Sequence, residues 1–270
     1  MAFLQMLHYS PCVRQNLLLN IIIPDPDTKN SIPVRQRKLL YLLHGLSESD
    51  DASAWQRFTA IETHARQYGL VVVMPSAGRS FYSDQPNGQA YFTYLTEELP
   101  AYLADVFHLK PKREDTFIAG NSMGGYGAIK AAMLKPELYH AAGSFSGVLS
   151  LVMLNNPEDP RRHEFELLFG DLRELPDSQH DPAFWLRNAA NNPQYNPKLY
   201  ISCGRQDDLY PLSLYFHEGC SSVRLDVSYY EEDGIHDWFF WDRQILQFID
   251  WALATENNLK INRNGDHHDQ

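Results

Sequence analysis

The segment from Asp115 to Met133 carries the residue types best suited to chemistry. A short apolar run passes through Gly120-x-Ser122-x-Gly124 into a stretch rich in glycine and alanine. In such a strand-turn-helix segment the serine occupies a sharp turn, and glycines on both sides let the strand and the helix approach closely. The alternative is a glycine-rich turn with an inert serine. The apolar strand before the motif and the helical pattern after it favour a nucleophile.

A serine hydroxyl is a weak nucleophile at neutral pH, so it needs a base and a group that orients the base. Asp207 follows an apolar run that ends at Cys203, and His236 follows one that ends at Tyr230. Both lie at the C-terminal ends of predicted strands, where open α/β sheets place their sites. We therefore predict that His236 takes the proton of Ser122 and that Asp207 orients His236.

Two adjacent residues, Asp207 and Asp208, could supply the acid. Neighbouring side chains of an extended loop point in different directions, so only one of them can reach the histidine. The spacing Gly204-x-x-Asp207 favours Asp207.

Two backbone amides are expected to stabilise an oxyanion. The first belongs to Met123, because the helix that begins there directs its N–H groups and positive dipole end at the site. The second is expected in the loop after the first parallel strand, at Leu46. His44 in the same loop is predicted to be a structural hydrogen-bonding histidine, since the reaction needs only one histidine as base.

A substrate pocket is expected above these groups. We expect Trp55, Tyr82 and Trp185 to bind substrate. Bulky apolar residues in and near a predicted cap should form a wall that limits the acyl chain to short lengths; these are Phe165, Leu167, Leu168, Phe169, Phe184 and Trp185. No metal site is expected, because the histidine pair 267–268 stands alone on a terminal segment.

The composition limits the classes of binding partner and the cellular compartment that we expect for this chain. The chain has 270 residues, 44% of them apolar, and a net charge of -11 from 23 basic and 34 acidic side chains. Nucleic acids and anionic membranes are disfavoured, because both require clustered lysine and arginine. Three widely spaced cysteines and the lack of a signal peptide favour the reducing cytoplasm. A small-molecule ester substrate is the expected partner, and a homo-oligomer is left open.

The predicted elements alternate in the manner of an α/β fold. Strands are expected in two runs within 2–23 and at 38–43, 70–74, 115–119, 140–147, 198–203 and 223–230, with helices at 54–69, 91–108, 211–222 and from 238 onward. This predicts a mostly parallel sheet of about eight strands with helices on both faces. Residues 150–196 are expected to form a small cap within a single domain, 1–255, and residues 256–270 a mobile tail.

Several segments together resemble a known family. They are His44-Gly-Leu-Ser47, Met74-Pro-Ser-Ala-Gly-Arg-Ser-Phe-Tyr82, Tyr91-Phe-Thr-Tyr-Leu-Thr-Glu-Glu-Leu-Pro100, Gly120-Asn-Ser-Met-Gly-Gly-Tyr-Gly127, Gly204-x-x-Asp207 and Gly234-x-His236-x-Trp238. The chain resembles the bacterial tributyrin esterases of the esterase D group of α/β-hydrolases. The resemblance implies an α/β-hydrolase fold, a triad of Ser122, Asp207 and His236, and cytoplasmic hydrolysis of short-chain acyl esters without a cofactor.

The same group contains S-formylglutathione hydrolases, which gives a second candidate function on a thioester. Those enzymes usually carry a cysteine shortly after the oxyanion loop, and residues 46–51 have none. A non-catalytic binding protein of the same fold is a third candidate. It is disfavoured because all three triad positions are filled.

Overall fold

A single sheet organises the computed structural model, which describes residues 1–25, 33, 36–47, 51–151, 154, 156–191 and 195–264, with the backbone alone for 255–264. Among these residues eight strands lie in the order β1-β2-β4-β3-β5-β6-β7-β8. The strands are β1 Ala2–Ser10, β2 Gln15–Ile23, β3 Leu39–Leu43, β4 Val71–Pro75, β5 Thr116–Asn121, β6 Ala141–Phe145, β7 Lys198–Gly204 and β8 Val227–Glu232. Strand β2 is antiparallel to β1 and β4, and the remaining pairs are parallel. The predicted mostly parallel sheet is confirmed.

Helices cover both faces of the sheet. They are α1 Ala54–Phe58, α2 Ile61–Tyr68, α3 Tyr91–Thr93, a π-helical turn Tyr94–Glu98, α4 Leu99–Phe107, α5 Met123–Leu134, α6 Arg162–Phe169, α7 Pro182–Asn191, α8 Tyr210–Ser222 and α9 Trp238–Asn264. The expected helix 54–69 is in fact two helices, because Thr59 adopts an extended backbone conformation and the Asp242 carboxylate accepts the Ala60 amide. The last strand starts at Val227 and not at 223. Helix α8 ends in a turn in which the amides of Val223 and Leu225 both donate to the Cys220 carbonyl, so these residues cannot belong to the strand.

The core forms two layers, one on each side of the sheet. In β3, Leu39, Tyr41 and Leu43 belong to the larger layer, which also contains α4, α5 and α8 residues. Leu40 and Leu42 belong to the other layer, together with residues of α2 and α9. Side chains alternate along a strand, so a continuous apolar run such as this one supplies both layers.

The expected cap, 150–196, contains α6, α7 and a 3₁₀ turn at Leu172–Glu174, and its described residues include no strand. It packs on the body through aromatic contacts: the rings of Phe165 and Phe169 lie 5.9 and 5.7 Å from that of Phe81. Helix α9 continues to Asn264, past the start of the expected tail, whose mobility stays a prediction. Residues 265–270, which include the histidine pair, lie outside the described residues. None of the described helices has the length and apolarity to cross a membrane.

Candidate active site

The turn between β5 and α5 holds Ser122 in a strained conformation. Its φ is 52° and its ψ is -118°, a region that residues with a side chain rarely occupy. The two flanking glycines permit the turn, because a Cβ at Gly120 would lie 2.5 Å from the Gly124 carbonyl carbon and one at Gly124 would lie 2.4 Å from the Leu43 oxygen. The close approach expected from the motif is therefore present.

The three predicted triad side chains lie together at the C-terminal edge of the sheet. His236 Nε2 is 3.0 Å from Ser122 Oγ, and His236 Nδ1 is 2.8 Å from Asp207 Oδ2. In the tautomer with hydrogen on Nδ1, His236 donates to the carboxylate and presents a lone pair to the hydroxyl. The first contact would let the hydroxyl proton pass to His236, and the second holds the imidazole in the required tautomer. The loops after β5, β7 and β8 supply one residue each.

The carboxyl group of Asp207 is buried beneath His236. Its Oδ1 accepts the Leu209 amide at 2.8 Å. Burial alone would raise the pKa of Asp207, but hydrogen bonds from His236, the Leu209 amide and Ser146 outweigh it, so the pKa lies below its ordinary value. Asp207 therefore remains an anion that can stabilise a positive charge on His236. Asp208 is exposed, whereas the carboxylate that His236 Nδ1 contacts is that of Asp207.

The two expected oxyanion residues, Leu46 and Met123, line the same cavity as Ser122. Met123 is the first residue of α5, whose first N–H groups have no acceptor within the helix. The carbonyl of Leu46 accepts a hydrogen bond of 2.6 Å from Arg79 Nη1. The same guanidinium binds both carboxylate oxygens of Glu164 on α6. Arg79 thus ties the oxyanion loop to the cap.

His44 has the structural role that was predicted for it. The side chain is buried, its Nε2 accepts the Ala77 amide at 3.0 Å, and its Nδ1 lies 2.8 Å from the Gly45 carbonyl. The first contact makes Nε2 an acceptor, so Nδ1 carries the hydrogen and donates to the carbonyl. His44 therefore holds the oxyanion loop against the loop after β4.

A cavity of about 720 Å³ opens above the serine. Its apolar wall consists of Phe81, Val148, Leu154, Phe165, Leu209, Trp238 and Trp241, and its polar lining includes Ser47, Arg79, Arg161, Asp208 and Asp237. The indole N–H of Trp241 donates to Ser146 Oγ at 3.2 Å, and the Trp241 ring meets that of His236 edge to face. Trp241 therefore both lines the pocket and supports the histidine.

Three residues expected to bind substrate lie behind the cavity wall instead. Trp55 is fully buried, and its indole donates to the Leu43 carbonyl at 2.9 Å. The buried Tyr82 donates to the His44 carbonyl at 3.1 Å. Trp185 is buried beside Tyr126, 5.2 Å away between ring centroids. The prediction that these three aromatic residues contact substrate is thus corrected, because each ring is buried and each polar atom donates to a backbone carbonyl, that of Gln179 for Trp185.

The expected cap wall is likewise corrected. Among the bulky residues proposed for it, only Phe165 lines the cavity; Leu167 is exposed on the outer surface, and Leu168 and Phe169 are buried against the body. Val148 and Leu154 carry no local signal that could have identified them. Trp238 and Trp241 could have been proposed, since they follow His236 closely on the first turns of α9. In the part of the chain that the structure describes, no cluster of three or more histidine, cysteine or acidic side chains could hold a metal.

Comparisons with known proteins agree on a family and a fold for this chain. A family model described as a putative esterase matches residues 15–250. An acetyl esterase of Caldicellulosiruptor saccharolyticus is 30% identical over 268 residues, which cover 95% of this chain and all of that protein. Two solved structures from Staphylococcus aureus, each 32% identical, cover 93% of this chain and 98% of their own. They are the fluorophosphonate-binding serine hydrolase FphF with bound substrate, at a TM-score of 0.84, and the S-formylglutathione hydrolase FrmB, at 0.82. The likeness to these two confirms the predicted α/β-hydrolase fold.

Proposed function

The chain belongs to the putative esterase family and is a serine carboxylesterase, and from this premise we propose that it hydrolyses short-chain acyl esters through an acyl-enzyme intermediate. The observation that carries the mechanism is the chain of contacts from Ser122 through His236 to Asp207 at the floor of the cavity.

In the first half-reaction His236 Nε2 takes the proton of Ser122 as Oγ bonds to the carbonyl carbon of the ester. The amides of Leu46 and Met123 donate hydrogen bonds that stabilise the negative charge developing on the carbonyl oxygen. Protonated His236, stabilised by Asp207, then gives its proton to the leaving alcohol, and the C–O bond to that alcohol breaks. The acyl group remains on Oγ.

In the second half-reaction water replaces the alcohol. His236 takes a proton from the water, whose oxygen bonds to the acyl carbon, and the same two amides stabilise the second oxyanion. The bond to Oγ then breaks, and His236 returns the proton to Ser122. The products are a carboxylic acid and the unmodified enzyme, so no cofactor is consumed.

The apolar lining of the cavity supports a short acyl group. Phe81, Val148 and Phe165 contribute apolar surface to the same cavity as Ser122. Each methylene buried there contributes ~0.8 kcal/mol, or roughly fourfold in kcat/KM, until the chain reaches the wall. Displacing the buried Phe165 would cost ~1 to 3 kcal/mol, which reverses the trend. We therefore expect the highest kcat/KM with acetyl to butyryl esters and a low value from octanoyl onward.

The experiment is a p-nitrophenyl ester series measured with the wild-type enzyme and two serine variants. Ser122→Ala should lose on the order of 10³-fold or more in kcat, whereas Ser47→Ala, which alters another serine of the cavity, should remain active. Mass spectrometry during turnover should detect an acyl adduct in the wild type and in Ser47→Ala but not in Ser122→Ala. A folded Ser122→Ala enzyme with near wild-type turnover would contradict the mechanism. A steady rise of kcat/KM to octanoate would contradict only the chain-length proposal.

A thioester substrate is the second candidate. One of the two similar structures is an S-formylglutathione hydrolase, and the same triad could attack a thioester carbonyl. Against it, residues 46–51 contain no cysteine. Comparing kcat/KM for S-formylglutathione and p-nitrophenyl acetate decides between them, and a strong preference for the thioester would replace the carboxylester proposal.

We also propose a cytoplasmic location. Cys12, Cys203 and Cys220 are all free thiols, as is usual in a reducing compartment. Fractionation that recovers the protein outside the cytoplasm would contradict this proposal.

A further inference from the structure

Strand β1 forms one edge of the sheet and is unusually apolar for that position. Its nine residues, Ala2–Ser10, contain no aspartate, glutamate, lysine, arginine or proline. Along the whole strand its inner edge pairs with β2, and among the described residues no further strand lies on its outer edge. The outward N–H and C=O groups of such an edge are a template for another strand.

The two faces of β1 differ in their contacts. One face packs on the helices that follow β4: His8 bonds to the Tyr94 hydroxyl at 2.9 Å, and Ser10 donates to Glu98. The opposite face carries Phe3, Leu7 and Tyr9, which are 39%, 68% and 62% exposed. Gln5 lies between them on the same face. An open edge and a row of exposed apolar side chains therefore coincide on this strand.

The opposite edge of the sheet shows how this chain protects an edge strand. Strand β8 ends in Glu231 and Glu232. Arg205 lies 3.1 Å from Glu231, and Arg243 lies 3.0 Å from Glu232. Charged side chains of this kind oppose edge-to-edge association. Because β8 carries this protection and β1 lacks it, the β1 edge is the one that can accept a strand.

We propose that β1 pairs with the β1 strand of a second copy of this chain, antiparallel across a two-fold axis, to give a dimer with one continuous sheet. A two-fold axis perpendicular to the sheet keeps the exposed faces of the two β1 strands on the same side, and it makes the interface self-complementary. With the axis at Gln5, Phe3 lies opposite Leu7 of the second copy, and the two glutamines lie opposite each other. Apolar side chains then pair with apolar ones, as stable cross-strand pairs do.

We assign a second copy of this chain as the binding partner because β1 is complementary to itself in this register. Every apolar residue of the exposed face within the overlap meets an apolar partner, and the single polar position meets itself. A net charge of -11 on each copy opposes close approach of the two bodies in general. An uncharged edge is the place where two such chains can meet without direct repulsion between side chains.

The test combines oligomeric state with a crosslink at the predicted axis. Sedimentation of the full chain over a concentration series should reveal a dimer. Leu7→Lys removes two apolar pairs, one on each side of the axis, and should raise the dimer dissociation constant about tenfold or more. Tyr215→Lys on α8 is the matched control, since Tyr215 is 66% exposed, and it should leave the dissociation constant unchanged. Both variants should keep the wild-type kcat/KM and melting temperature of the subunit fold.

Gln5→Cys tests the register itself. Opposed residues of an antiparallel pair have Cα atoms within disulfide range, so mild oxidation should crosslink this variant into a covalent dimer. Tyr215→Cys and the wild type, with its own three cysteines, should remain uncrosslinked. A protein that is monomeric throughout the series, or a dimer as sensitive to Tyr215→Lys as to Leu7→Lys, would overturn the interface. A dimer disrupted by Leu7→Lys but not crosslinked through Gln5→Cys would overturn the register.

Discussion

Replacing Asp207 by asparagine tests whether the tautomer of His236 controls proton transfer from Ser122. The Oδ1 position accepts the Leu209 amide at 2.8 Å, so an asparagine must place its oxygen there. Its NH₂ group then faces His236 Nδ1, where Oδ2 lies at 2.8 Å in the wild type. The histidine must accept that hydrogen bond at Nδ1 and carry its own hydrogen on Nε2, toward Ser122. In this tautomer His236 cannot take the serine proton.

The expected loss in kcat for Asp207→Asn is therefore about 10⁴-fold, which corresponds to about 5 kcal/mol of transition-state stabilisation. Asparagine is nearly the size of aspartate, so the fold should persist, and a thermal melt checks this. Asp208→Asn is the matched control: its side chain is exposed at the cavity rim, and the change should alter kcat/KM by no more than about twofold.

The assay is kcat and KM on p-nitrophenyl acetate for both variants and the wild type. If Asp208→Asn lost as much activity as Asp207→Asn, the acid would have to be Asp208, and the hydrogen-bonded path described here would not be the catalytic one. A folded Asp207→Asn enzyme within tenfold of wild type would show that the tautomer of His236 does not limit the reaction.

Three further variants probe the pocket, the turn and the buried side chain of Lys130. Phe165→Ala removes a buried wall residue, so it should shift the optimum to longer p-nitrophenyl esters while lowering the free energy of unfolding by ~3 to 5 kcal/mol; an unchanged optimum would show that the wall lies elsewhere. Gly124→Ala would place a Cβ 2.4 Å from the Leu43 oxygen, and we expect it to abolish soluble expression or turnover; a stable, active variant would contradict the need for glycine. Burial lowers the pKa of Lys130 from 10.5 to about 7, and Asp84 opposes the shift. Between these two pH values the unfolded chain binds a proton that the folded chain lacks. The free energy of unfolding therefore rises with pH from about 7 to 10.5. Lys130→Met should remove this dependence and raise the unfolding free energy at pH 7 by up to about 4 kcal/mol, measured by denaturation at pH 7 and pH 10; a variant less stable than wild type at pH 7 would refute this assignment.

The sheet and the positions of the three proposed triad residues could be predicted because their signals are local. A continuous apolar run such as that of β3 indicates a strand buried on both faces, and the motif around Ser122 requires glycine for steric reasons that any protein shares. Asp207 and His236 could be assigned because both follow strands directly. Two boundaries could not be predicted: the start of the last strand and the end of the helix that begins at residue 54. Each depends on a hydrogen bond to a residue outside the predicted element.

The lining of the cavity could not be predicted, because it depends on contacts between distant segments. An aromatic residue in a motif can face the substrate or the core with equal ease as far as its sequence shows. Trp55 faces the core because its indole has a carbonyl partner in β3, and Tyr82 does so because its hydroxyl has one in the oxyanion loop. Val148 reaches the cavity because β6 lies beside β5 in the sheet.

Arg79 shows what such long-range contacts add to the site. It joins the Leu46 carbonyl, 33 residues earlier, to the Glu164 carboxylate, 85 residues later. The Arg79 and Glu164 side chains are 44% and 30% exposed, so solvent screens the pair and its contribution to stability is below about 1 kcal/mol. Its effect is therefore geometric. The loop proposed to hold the oxyanion and the cap helix that carries Phe165 are fixed to one guanidinium, so a displacement of α6 that widened the acyl pocket would also pull on the oxyanion loop. The proposed chain-length selection and the proposed oxyanion stabilisation would in this way be mechanically linked, although Leu46 and Phe165 lie more than a hundred positions apart.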